Sequence, residues 1–159
     1  MFAYPLNFQH NIVELEDDSC RVRKTGYASM LETLVFMKTL CNYLIKNPDP
    51  TIVPVYAFED YGWQSSGSYM YTYDMERMYS LSRSEKDIIN RLLDYNVLCD
   101  ATNSHPELIS FIKTIIQLKR YTDINSGNIM LDAEGQYRLI DLESFFHAPL
   151  NHPQNLWFQ

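Results

Sequence analysis

An α+β fold is the class this sequence predicts, and three observations predict it: a strand-rich first half, a helix-rich second half, and no linker, repeat or low-complexity tract between them. A length of 159 residues with 46% hydrophobic content suits one domain, residues 1–159, with its own core.

The elements follow in order. Ile12, Val13 and Leu15 give a strand over residues 11–16, and Asp17-Asp18-Ser19 turns into a second strand over 20–24, forming a hairpin. Leu31, Leu34, Val35, Leu40, Cys41 and Leu44 recur at three- and four-residue steps, so residues 28–45 form a helix that Asn47-Pro48 stops. Two strands, 51–58 and 69–73, flank a loop over 59–68 rich in Gly and Ser. A capping-box pattern, Ser84-x-x-Asp87, opens a helix over 84–94. Pro106 takes the first helical position of another that ends near Arg120. Residues 129–131 and 137–140 pair around the turn Asp132-Ala133-Glu134-Gly135 as a small hairpin. The remainder, 142–159, shows no periodicity.

Charge and cysteine usage narrow the function. A net charge of −7 repels phosphate backbones and anionic lipid, so neither nucleic acid nor a membrane surface is expected as a partner. Arg21, Arg23 and Lys24 make too small a basic patch to reverse this. Cys20, Cys41 and Cys99 have neither CxxC nor Cys/His spacing, which argues against a disulfide framework or zinc and for a reducing cytoplasm. His10, His105, His147 and His152 share no ligand spacing. No export signal and no apolar run long enough to span a membrane stands out.

The stretch YTDINSGNIMLDAEGQYRLIDLESF, residues 121–145, carries the chemistry. Asp123 in a loop, Asn128 after it and Asp141 at the end of a hairpin converge when the hairpin folds back. Asn128 and Asp141 then offer hard oxygen ligands for Mg²⁺, and Asp123 is free to orient or deprotonate a hydroxyl.

This D-x-x-x-x-N, hairpin and apolar-flanked Asp resemble the catalytic and metal-binding segment of the protein-kinase-like fold. The form "SGNIM…G…ID" is especially similar to the early serine/threonine kinases of T-seven-type coliphages, and similar also to aminoglycoside and choline kinases. The resemblance implies a reduced kinase-like α+β fold: a small antiparallel sheet with one helix (1–79, like an N-lobe) and a short helical lobe carrying the catalytic hairpin (80–159, like a truncated C-lobe). It implies Asp123 as catalytic base, Asn128 and Asp141 as Mg²⁺ ligands, and ATP as cofactor. Lys24, ending a strand before a helix, becomes the phosphate ligand. Glu32 on that helix is its candidate ion-pair partner, with Glu14 and Glu16 competing. Asp74 and Met75, after the strand at 69–73, fall where the family's hinge receives adenine. The neighbouring Tyr69, Met70, Tyr71, Tyr73, Met78 and Tyr79 either line that pocket or pack the core.

Departures bear on the acceptor. No glycine-rich loop precedes Lys24, because Gly26 is the first glycine. Tyr121-Thr122 and Leu142-Glu143 replace His-Arg and Phe-Gly, and Asn125 stands where kinases acting on serine carry Lys. Residues 142–159 are too short for an activation loop or peptide-binding helices. The aromatic residues Phe145, Phe146, Trp157 and Phe158 either cap the second part or meet a partner, a second copy of the chain included. The expected function is ATP- and Mg²⁺-dependent phosphoryl transfer to a protein hydroxyl in a bacterial host cytoplasm. Its rivals are a degenerate fold that binds and inhibits a host protein, and a small-molecule kinase.

Overall fold

The computed structural model describes residues 11–15, 18–95, 105–119 and 124–147. Strands β1 (Asn11–Leu15) and β2 (Asp18–Ala28) precede helix α1 (Leu31–Lys46). Strands β3 (Val55–Gln64) and β4 (Ser68–Glu76) and helices α2 (Arg83–Tyr95) and α3 (Pro106–Lys119) follow. A hairpin of β5 (Ile129–Leu131) and β6 (Tyr137–Leu139) then runs into a 3-10 helix, Leu142–His147. The α+β class holds: the first four strands form one antiparallel sheet in the order β1-β2-β4-β3, and the last two form a separate pair.

Side chains alternate across a strand, and β2 shows this cleanly. Val22, Lys24, Gly26 and Ala28 are buried, whereas Arg23 and Tyr27 between them are exposed. Tyr71, Tyr73 and Met75 continue the buried row on β4, opposite Gly26, Lys24 and Val22. Helix α1 packs on the sheet and buries Leu34, Met37, Leu40, Cys41 and Leu44. It starts at Leu31 and not at residue 28, because Ala28 still pairs with Tyr69 in the β ladder.

Both later strands of the sheet depart from expectation. The region expected as a loop over 59–68 is mostly strand, since Gly62 does not end β3. With φ of 71°, it sits at a shift in register after Asp60, whose carboxylate accepts the Gly62 N–H at 2.7 Å. Glycine at a bulge lets a strand bend and continue. At the other end, residues 51–53 leave the sheet for the hairpin: Val53 N–H donates to Leu139 O at 2.9 Å and Leu139 N–H to Thr51 O at 2.8 Å.

Two further devices position the second part. Helix α2 begins with a reciprocal capping box on Ser82 and Glu85, not on Ser84 and Asp87: Ser82 N–H donates to Glu85 Oε1 at 2.9 Å, and Glu85 N–H to Ser82 Oγ at 3.3 Å. Ser84 instead hydrogen-bonds His105 at the start of α3, at 2.7 Å. In the hairpin, Asp132 Oδ1 accepts the N–H groups of Glu134 and Gln136, both at 2.9 Å, while Gly135 takes φ of 81°. Arg138 bonds Asp132 at 3.0 Å and donates to the carbonyls of Asp49 and Ile52 at 3.1 and 3.0 Å. The hairpin is thereby tied to the chain entering β3. Among the described residues no helix is long and apolar enough to cross a membrane.

Candidate functional site

Lys24 stands on the buried row of β2, and it is only 2% exposed. An unpaired ammonium there would cost several kcal/mol in lost hydration, so the fold must bring a carboxylate to it. That carboxylate belongs to Glu143 in the 3-10 helix: Lys24 Nζ donates to its Oε1 at 3.0 Å. Asp141 Oδ1 lies 3.9 Å from the same Nζ, an ion pair beyond hydrogen-bond reach.

Glu143 is also held from the sheet. The hydroxyls of Tyr71 and Tyr73, two residues apart on β4, donate to Oε2 at 2.7 Å and to Oε1 at 2.9 Å. The two rings stack at 6.3 Å between centroids, and Phe58 on β3 extends the stack at 5.7 Å from Tyr71. Burial first, and then Glu143, raise both phenols well above their ordinary range, so they remain neutral donors. Cys41, fully buried on α1, feels the same charges: burial and then Glu143 push its thiol up, while Lys24 opposes them.

The hairpin supplies the remaining groups. Asn128 directly precedes β5 and Asp141 comes two residues after the end of β6, so antiparallel pairing brings them to one end, where Ile140 N–H donates to Asn128 O at 3.0 Å. Asn128 is buried, at 3% exposure, in a turn where the Asn125 side chain accepts the Gly127 N–H at 2.9 Å. Asp141 Oδ2 accepts the Ser144 hydroxyl at 2.7 Å. Burial raises the Asp141 carboxyl above its ordinary value, Lys24 and Ser144 pull it down, and Glu143 adds to the rise. Two carboxylates around one ammonium leave an excess of negative charge, which suits a cation with oxygen ligands. Among the described residues, no group of three or more His, Cys, Asp and Glu is placed to hold a metal.

The structure redistributes the sequence-predicted residues. Lys24, Asn128 and Asp141 are placed as above. Glu32 does not meet Lys24, because it lies exposed in the first turn of α1 while Lys24 is buried against Glu143. Asp74 and Met75 do not follow a strand but lie within β4, between β2 and β3, where sheet pairing engages their backbone. The Asp74 carboxylate takes a two-pronged ion pair from Arg23, its cross-strand neighbour, at 2.7 and 3.0 Å, and Met75 is core. Asp123, Glu16, Trp157 and Phe158 lie outside the described residues. Sequence reasoning missed Glu143 and the two tyrosine hydroxyls as site groups. The signals were present in the acid two positions after Asp141 and in a lysine on the apolar row of a strand.

No protein-family model matches the chain, and no curated protein matches it.

Proposed function

We propose that the chain is a reduced protein-kinase-like phosphotransferase, moving the γ-phosphoryl group of ATP to a protein hydroxyl with Mg²⁺. One observation carries the reading: a lysine from the strand before α1 is buried 3.9 Å from the acid that ends a hairpin, and Asn128 stands at that hairpin's open end. Phosphoryl transfer asks of side chains chiefly this: a cation for the phosphates, oxygen ligands for metal, and a group to orient the acceptor.

In this reading Lys24 holds the α- and β-phosphates, and Asn128 and Asp141 hold Mg²⁺. Two protein oxygens suit that ion, which takes its other ligands from phosphates and water. Bound Mg²⁺ supplies neutralisation of phosphate charge. Asp123 orients the acceptor hydroxyl and accepts its proton. In this reading Asp74 serves the sheet through its ion pair with Arg23 and not the nucleotide.

The test is incubation of the intact protein with γ-labelled ATP, Mg²⁺ and bacterial host lysate, alongside melting curves with ATP. Labelled protein and an ATP-dependent rise in melting temperature only when Mg²⁺ is present support the reading. Label in a small molecule alone moves the acceptor to that class. Neither label nor a melting shift overturns phosphoryl transfer in favour of a binding role.

A further inference from the structure

We propose that Glu143 is the positioning residue for Lys24, so that the phosphate lysine is set by the segment carrying the metal ligand and not by helix α1. This rests on the phosphotransferase reading and assigns a residue that reading does not require. Among the described side chains, the helix packed on the sheet and the 3-10 helix after the hairpin are two candidate sources of the carboxylate for the lysine. Helix α1 contributes one acid, Glu32, and it is exposed; the buried face offers Leu34, Met37, Leu40, Cys41 and Leu44. The 3-10 helix offers Glu143, and the sheet is built around it.

Three features fix that carboxylate before any ligand binds. Tyr71 and Tyr73 donate to its two oxygens from one face of β4. Tyr71 lies against Gly26 so closely that a Cβ on that glycine would stand 2.3 Å from the ring. Lys24 sits opposite Tyr73 in the register, and its Nζ lies 5.8 Å from that ring's centre as well as 3.0 Å from Glu143. Asp141, in contrast, takes the Ser144 hydroxyl on one oxygen and stands at 3.9 Å from Lys24 with the other. The two acids therefore divide the work. Glu143 orients the lysine through a hydrogen bond of 3.0 Å, and Asp141 keeps its place at the hairpin end beside Asn128.

A double-mutant cycle on the full chain tests this, reading the dissociation constant for Mg²⁺-ATP by calorimetry and the Mg²⁺ concentration giving half-maximal binding. Glu143→Gln keeps the shape and one acceptor oxygen but removes the charge facing Lys24. It should weaken Mg²⁺-ATP binding on the order of tenfold in the parent and add no further loss in a Lys24→Met background, the mark of two groups acting as one. The Mg²⁺ requirement should stay at the parent's value, whereas a merely structural role would weaken binding alike in both backgrounds. Should Glu143→Gln fail to fold, Tyr71→Phe removes a single bond to the same carboxylate and carries the same cycle, with a smaller loss confined to the Lys24 background. Equal losses with and without Lys24, or a changed Mg²⁺ requirement, overturn the assignment alone. A folded parent that binds no Mg²⁺-ATP overturns it together with the phosphotransferase reading.

Discussion

Gly26 and Tyr71 face each other across β2 and β4, and the tyrosine ring occupies the space a side chain at residue 26 would need. The ring's far end, where the contact falls, is also where its hydroxyl meets Glu143 at 2.7 Å. Rotation of the ring about its own axis moves neither Cζ nor the hydroxyl oxygen, so a methyl group at position 26 has to displace the ring's far end and with it the hydroxyl bonded to Glu143. Gly26→Ala should therefore destabilise the protein by about 1–3 kcal/mol, the usual cost of overpacking a fitted site. Urea denaturation measures this, and an unchanged midpoint would show that the ring yields freely.

The start of α2 allows a finer comparison. Ser82 and Glu85 cap it reciprocally, whereas the exposed Ser84 reaches across to His105. Ser82→Ala should cost about 1 kcal/mol, as loss of an N-cap does, and Ser84→Ala distinctly less. The reverse order in denaturation midpoints would return the cap to Ser84 and Asp87.

What was legible in the sequence, and what was not, divides on range. Helix α1, α3 and the β5–β6 hairpin follow from local periodicity and turn residues; in α1 the expected Leu34, Leu40, Cys41 and Leu44 are buried, whereas Leu31 and Val35 are exposed and Met37 takes a core place instead. The extension of β3 past Gly62 was hidden because a bulge glycine and a turn glycine look alike in sequence; only pairing with β4 tells them apart. Asp74 and Met75 fall past the expected strand for a related reason: the partner that holds Asp74 in the sheet is Arg23 on the neighbouring strand, which local pattern does not reveal. In the site, Asn128 and Asp141 were legible because one short hairpin joins them. Glu143 was not, since its partners Lys24, Tyr71 and Tyr73 are remote in sequence and meet it only in the folded chain.

Acid should weaken the fold through two carboxylates remote from the site. Burial by itself would raise Asp132, but the Gln136 N–H, Arg138 and the Glu134 N–H outweigh it and hold the group below its ordinary value. Glu85 is likewise lowered: burial opposes, while the Tyr137 hydroxyl and Ser82 prevail. A carboxyl lowered on folding contributes its full stability above its unfolded value and loses it as pH falls through the folded one. Stability should thus be flat near neutrality and decline as pH drops below about 4. Asp132→Asn should lower the urea midpoint at neutral pH and make its acid decline shallower. An identical acid slope in parent and variant would remove Asp132 from this account.

Asp123 and Asp141 should fail in different ways if phosphate is transferred. As base or orienting group, Asp123 matters when the acceptor reacts, whereas Asp141 also holds the metal that holds ATP. Asp123→Asn should keep Mg²⁺-dependent ATP binding and lose turnover by roughly 10²–10⁴-fold, the usual worth of a general acid–base group. Asp141→Asn should lose both, because in the proposed reading its carboxylate is the charged ligand at the hairpin end, and an amide there leaves Lys24 facing Glu143 without the second acid. Calorimetry with Mg²⁺-ATP and label transfer from γ-labelled ATP separate the two quantities. A role in binding a host protein would instead leave host-directed activity intact in Asp123→Asn, since nothing in the binding of a partner calls for a base. Activity in that variant equal to the parent's would overturn the enzymatic reading and leave the fold as a scaffold for binding.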